Sequence, residues 1–335
     1  MGADAGTHGD GASELSVAAI WKQGAAGKLL RLLSPLADRA LGIHRLRVLF
    51  ERDGLYGLER FAFVERFILK EGIRYGLDEA ELSRIPAKGP VVIVANHPLG
   101  GLEGILLAWL LRLVRPDYKL LANIIDTYLV ELREFFIFTN PMATGSAANY
   151  ESIRACREYL AAGHCLVVFP AGRVGLYRPE KGYATDESWD NTATALGSMT
   201  KATFVPIYVE GESSALFSAL SHYIYPMKLL FLLWEFLHSF EKRVVFHIGE
   251  GIPASHMALM GKSRSRFWLR MRTFLLCPPG KGPRRRGGGE PGRFHPEVED
   301  YVARFGLPES EIAELAGAVG DDSAAAELRR LVALR

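Results

Sequence analysis

The residues best suited to chemistry fall in one short run, Asn96-His97-Pro98-Leu99-Gly100-Gly101-Leu102-Glu103. A histidine ending an apolar strand, two glycines and a carboxylate at the start of the next helix make a compact site. An imidazole takes up a proton near neutral pH, and a carboxylate on its other ring nitrogen orients the ring and stabilises the imidazolium. A lone histidine beside a strand can equally be a hydrogen-bonded structural residue, so the rest of the chain must discriminate between the two.

About 70 residues on, Val167-Val168-Phe169-Pro170-Ala171-Gly172-Arg173 is again an apolar strand running into a Pro/Gly turn with a cation, and Val205-Pro206-Ile207 follows after one more helix. Strand ends presenting polar groups along one edge of an α/β sheet are where such folds place ligands. Other candidates are weaker. Cys156 and Cys165 sit on a predicted helix and strand with no paired base, which fits buried structural thiols. Gly100-Gly101 is not followed by Lys-Ser/Thr, so no nucleotide cradle is expected. His97, Glu103, His164 and Cys165 match no metal spacing, so no metal is expected.

These residues need a scaffold, and the sequence spells one out. Residues 90–95 are a short buried strand, and 102–114 are helix-like. The alternation continues with strands at 119–123, 164–170, 203–209 and 243–248. Helices are predicted at 149–162, 191–201 and 225–240, the last either core or a membrane-facing lip. The predicted fold class is α/β, a mixed, mostly parallel sheet flanked by helices, with N-terminal amphipathic helices and a small C-terminal helical appendage. The expected organisation is a disordered tail at 1–13, an amphipathic, membrane-associating helical region at 14–86, an α/β core at 87–276, a basic Pro/Gly linker at 277–293 and the helical appendage at 294–335.

Composition narrows the function classes. The chain has 335 residues, 49% apolar and 23% charged, which is the balance of a folded protein. A net charge of +2 gives no global field for nucleic acid. Three cysteines without C-x-x-C spacing fit a reducing, cytoplasmic setting. No secretory signal is visible at the N-terminus. No apolar run approaches the roughly 18 residues of a spanning helix, so a membrane would be met from its surface. Residues 262–286 carry nine Lys or Arg and no acid, interleaved with Phe267, Trp268 and Phe274. That stretch reads either as a solvated surface or as a contact for anionic lipid headgroups or a carrier protein.

Four blocks, in order, resemble the glycerolipid acyltransferase superfamily, which includes lysophosphatidic acid acyltransferases, and within it the bacterial hemolysin-like or ornithine-lipid-type branch. They are Ala95-Asn96-His97-Pro98 with Gly100-Gly101-Leu102-Glu103-Gly104, Arg133-Glu134-Phe135-Phe136-Ile137, Phe169-Pro170-Ala171-Gly172, and Val205-Pro206-Ile207-Tyr208. The resemblance runs from about Gly54 to Leu276. It implies transfer of a fatty acyl group from an acyl-carrier-protein or coenzyme A thioester to the hydroxyl of a lyso-phospholipid or lyso-aminoacid lipid. The implied base is His97, with Glu103 as its partner, and no cofactor is expected beyond the thioester co-substrate. Asn96, Gly100, Gly101, Phe169, Pro170, Gly172 and Arg173 are the implied substrate-binding residues, and amides near Gly100-Gly101 or the helix start are candidates for holding the oxyanion. The implied location is peripheral, on the cytoplasmic face of the cell membrane, against anionic lipid. Ala171 stands where the superfamily usually has an acid, and Arg173 points to an anionic acceptor. The rival reading is a non-catalytic lipid-binding or scaffold protein on the same fold.

Overall fold

The structure is a computed structural model, and it describes residues 36, 38–39, 42–123, 130–139, 147–220, 225–287, 292–319 and 322–334. The expected tail at 1–13 and the first part of the expected amphipathic region lie outside the described residues.

Val91–Ala95 is buried at all five positions, the pattern of a strand covered on both faces. Around it the elements follow in chain order. Helices α1 (Ile43–Asp53) and α2 (Arg60–Lys70) come first, then β1 (Arg74–Leu77) and a single turn, α3 (Glu79–Leu82). Next are β2 (Val91–Ala95), α4 (Leu102–Leu111), β3 (Tyr118–Asn123), a 3-10 turn (Val130–Phe135) and β4 (Phe136–Thr139). Then come α5 (Ala147–Ala161), β5 (Cys165–Val168), the hairpin β6 (Leu176–Arg178) and β7 (Tyr183–Thr185), α6 (Thr192–Thr200) and β8 (Thr203–Val209). The chain continues through α7 (Ala215–Leu220), α8 (Tyr225–Ser239), β9 (Arg243–Ile248), β10 (Ile252–Pro253) and α9 (Ala254–Leu275). It closes with α10 (Pro296–Phe305), α11 (Glu309–Val319) and α12 (Asp322–Ala333).

The main sheet runs β1-β9-β8-β2-β5-β3-β4, with β10 added beside β8. Neighbours along this path are parallel except β8 and β9, so the expected mixed, mostly parallel sheet is present. Side chains alternate across it as the pleat requires. Val91, Ile93 and Ala95 enter one core with Phe63, Phe67 and Leu106. Val92 and Val94 enter a second core with Trp268, Phe274 and Leu328. Because β2 lies between two parallel partners, β5 and β8, the chains that follow all three leave at the same sheet edge.

Two regions differ from expectation. The described part of the 14–86 region contributes one face to the core: α1 buries Ile43, Leu46, Leu49 and Phe50, and α2 buries Phe63, Val64, Phe67 and Ile68, while Leu36, Val48 and Leu69 stay exposed. Each large apolar side chain so placed is worth about 1.5–3 kcal/mol relative to exposure. A boundary at 86/87 would also cut the sheet, since β1 pairs with β9. The C-terminal segment, expected as a small helical appendage, is three helices that pack into the second core. Val298, Tyr301, Val302, Ile312, Leu315 and Leu328 share the second core with Trp268 and Phe274.

Four of the nine cations in the basic stretch are paired by that same segment. Arg264 pairs with Glu311, Arg270 with Glu297, Arg272 with Glu314, and Arg285 with Glu299 and Asp300. Lys281, Arg284 and Arg286 stay exposed. Among the described residues no helix is long and apolar enough to cross a membrane.

Candidate active site

The end of β2, the glycine pair and the first turn of α4 bring the sequence-predicted residues into contact. His97 Nδ1 lies 2.8 Å from Glu103 Oε1. The Leu99 amide donates to the same oxygen at 2.9 Å, and the Gly101 amide donates to Oε2 at 3.0 Å. Burial pushes the Glu103 carboxyl up, but the neighbouring imidazole and these hydrogen bonds outweigh it, so the group is held below the usual carboxylate range. An ionised carboxylate only accepts, so Nδ1 carries the proton and Nε2 becomes the basic nitrogen. Glu103 is fully buried while the His97 side chain is 19% exposed, so the ring is the member of the pair within reach of a substrate.

The glycines are required by the backbone. Gly100 has φ 73° and Gly101 φ 125°. A Cβ on Gly100 would stand 2.8 Å from Leu232 Cδ1, so α8 closes directly over the loop. The Gly101 amide already serves Glu103, which removes it from the expected oxyanion role.

Phe169, at the end of β5, lays its ring against His97 with centroids 4.5 Å apart and planes inclined by 24°. Pro170 is buried, and its carbonyl accepts from the Asp190 amide at 3.1 Å. Gly172, at φ 62°, turns the chain back, with its amide donating to the Phe169 carbonyl at 2.9 Å. Arg173 is about half exposed and 3.6 Å from Glu187, a carboxylate that Arg178 also approaches at 3.1 Å.

Asn96 bridges to the neighbouring strand. Its Nδ2 donates to the Val209 carbonyl at 2.9 Å, and its Oδ1 accepts the Val209 amide at 2.7 Å. Both ends of the amide are engaged with β8, so Asn96 ties the end of β2 to the end of β8. All three cysteines are buried and free. Burial pushes the Cys156, Cys165 and Cys277 thiols up to about 12, far from a reactive thiolate. Among the described residues no cluster suited to a metal ion occurs.

Sequence reasoning missed Asp186. Its Oδ1 accepts the His97 amide at 3.1 Å and its Oδ2 accepts Trp189 Nε1 at 2.9 Å. The Gly175 amide donates to the His97 carbonyl at 2.8 Å, so the main chain of His97 is held from both sides. Burial pushes the Asp186 carboxyl above its ordinary range against the pull of Arg270. Nothing in the run Thr185-Asp186-Glu187 marks it, because its target is distant in sequence. A polar cavity of about 130 Å³ borders this loop, lined by Asn96, Asp186, Glu210 and His295 among others, and not by His97 or Glu103.

A lyso-glycine lipid O-acyltransferase of Phocaeicola vulgatus is 27% identical over 179 residues, which covers 51% of this chain and 62% of that protein. A lyso-glycine lipid O-acyltransferase of Bacteroides thetaiotaomicron is 26% identical over 180 residues, covering 51% and 64%. The chain thus spans just over three fifths of the length of these relatives. A crystal structure of the 1-acyl-sn-glycerophosphate (LPA) acyltransferase PlsC from Thermotoga maritima matches with a TM-score of 0.39 and 15% identity, over 62% of this chain and 72% of that one, a likeness too slight to carry an argument. The family model described as Acyltransferase matches residues 25–277, which hold all four sequence blocks and the His97–Glu103 pair, and the chain belongs to that family.

Proposed function

We propose that this protein transfers a fatty acyl group from an acyl thioester, on acyl carrier protein or coenzyme A, to the hydroxyl of a lyso-lipid at a membrane surface. The observation that carries the reading is the His97–Glu103 contact, a partly exposed imidazole polarised by a buried carboxylate. Nε2 of His97 takes the acceptor's hydroxyl proton as the oxygen attacks the thioester carbonyl. Glu103 stabilises the imidazolium that forms, and the proton then passes to the departing thiolate. A thioester is already activated, so this step needs no acyl-enzyme, in keeping with the buried thiols.

The Gly100 amide and the first turn of α4 are our candidates for holding the oxyanion. Phe169, Pro170, Gly172 and Arg173 line the approach, and Val174, Leu176, Phe217 and Leu232 form an apolar cluster beside the glycine loop suited to an acyl chain. The relatives act, by their names, on lyso-glycine lipid, an aminoacid lipid whose anionic head suits Arg173. We therefore favour a lyso-aminoacid lipid over a lyso-phospholipid as acceptor. The exposed Lys281, Arg284 and Arg286 suit anionic lipid at the cytoplasmic face of the membrane, or an acidic carrier protein.

The test is mass-spectrometric detection of acyl transfer by purified protein. It is offered both thioester types with a panel of lyso-lipids, beside His97→Ala. A product made by the wild type and reduced about 1,000-fold in the variant is expected. An unchanged rate in His97→Ala would overturn the mechanism, and lipid binding with no turnover would favour the scaffold reading.

A further inference from the structure

Residues beyond 277 lie outside the family match, yet one of them reaches the loop that holds His97. Glu297, in the first turn of α10, is buried in the second core. Its Oε2 accepts Arg270 Nε at 2.8 Å, and its Oε1 accepts Thr185 Oγ1 at 3.0 Å and the Lys181 ammonium. Arg270 spans the gap. Its Nη2 donates to Thr185 Oγ1 at 3.1 Å and to the Asp186 carbonyl at 2.9 Å, and its Nη1 donates to the Glu187 carbonyl. Three successive residues are therefore tied to one guanidinium, and that guanidinium is set by one carboxylate. The middle residue, Asp186, holds the His97 amide.

We infer that Glu297 is a positioning residue for His97, acting through Arg270 and the 185–187 loop, so that the C-terminal segment completes the active site. The inference rests on the proposed role of His97 as base. Arg270 is held at fixed depth because its planar fork meets the Glu297 carboxylate through Nε and the Thr185 hydroxyl through Nη2, with main-chain carbonyls on the other side. Without Glu297 the guanidinium would be a buried cation short of its main counter-charge, and it would move toward solvent or toward the Asp186 carboxylate. Either movement shifts the acceptor of the His97 amide. Displacement of a catalytic group by a fraction of an ångström is felt in kcat far more than in KM. The Gly175 contact leaves little slack to absorb it, since a Cβ there would already lie 3.2 Å from Asp186 Oδ1.

The experiment uses the full chain with three substitutions, reading kcat, KM and amide hydrogen exchange at His97 resolved by fragmentation mass spectrometry. Glu297→Gln is expected to lower kcat about tenfold with KM within about twofold, and to speed exchange at His97. Thr185→Val removes the hydroxyl shared by Arg270 and Glu297 while keeping their ion pair, so it stands in if Glu297→Gln does not fold, with the same direction and a smaller effect. Glu311→Gln breaks a different contact of the same segment, the 3.2 Å pair between Arg264 and α11, and is expected to leave all three readouts at wild-type values. Equal losses in Glu297→Gln and Glu311→Gln would mean general destabilisation and overturn the inference, as would unchanged exchange at His97 in Glu297→Gln. If the wild type shows no turnover, the acyl-transfer reading falls while the exchange measurement still decides whether Glu297 holds His97.

Discussion

Glu103 and Glu297 are both buried carboxylates, each accepting from at least three donors and each held below the usual carboxylate range, yet they do different things. Burial opposes the charge in both cases, and the partners that overcome it differ. Glu103 is balanced by an imidazole, whose charge appears and disappears with a single proton. Glu297 is balanced by Arg270 and Lys181, and a guanidinium stays charged throughout the working range. A carboxylate beside a switchable partner can serve proton transfer, whereas one beside fixed cations can only hold geometry. The two lie on opposite sides of His97, one on its ring and the other, through Arg270 and Asp186, on its main chain.

That contrast can be broken from either end. The largest effect is expected for Arg270→Met, which leaves Glu297 buried without its main cation. Removing one partner of a buried pair costs about 3–5 kcal/mol, and a denaturant titration would read it; a loss under about 1 kcal/mol would mean that the pair is dispensable. Next comes Glu103→Gln. Three N–H groups point at this carboxylate, so an amide must set its own NH₂ against one of them. We expect kcat for acyl transfer to fall about 100-fold with KM little changed, and an unaltered kcat would separate Glu103 from the chemistry.

A third, intermediate effect lies in acid. His295 caps α10, its Nδ1 accepting the Glu297 amide at 3.1 Å, and burial pushes its pKa down to about 3. An unfolded imidazole takes its proton near pH 6.5, so between about 6.5 and 3 the unfolded chain holds the extra proton. This contribution to stability is whole above pH 6.5 and is lost as pH falls towards 3, by up to about 1.4 kcal/mol per unit. His295→Asn keeps a capping acceptor without the titration. Its stability should fall about 1–2 kcal/mol less than that of the wild type between pH 7 and pH 5, measured by denaturant unfolding at each pH. An identical loss in both would locate the acid sensitivity elsewhere. The smallest effect is expected for Phe169→Leu, which removes the ring face from His97. A drop of about threefold to fivefold in kcat matches an aromatic contact of about 1 kcal/mol, and no change would make Phe169 a passive wall.

Much of the scaffold was legible before the structure. The apolar run at 91–95, the Gly-Gly turn and the helix after it announce strand, loop and helix by composition alone, and β5 and β8 repeat the cue. Other strands were not legible. β1 and β4 have four residues each and β6 and β7 three, too few to show a period. The basic stretch at 262–286 misled for a related reason. Its charges look unopposed along the chain, and four of the nine find partners on α10 and α11.

The sequence by itself determined the His97–Glu103 pair, because both residues sit in one strand-turn-helix unit six positions apart, where local backbone geometry dictates the contact. Only the tertiary structure decided what holds the histidine from behind. Thr185 and Glu297 meet across 112 residues, and His97 and Asp186 across 89. No local periodicity encodes such a meeting. It follows from how α9 and α10 pack on the sheet, and burial then makes each unpaired charge so costly that the partners must be found together.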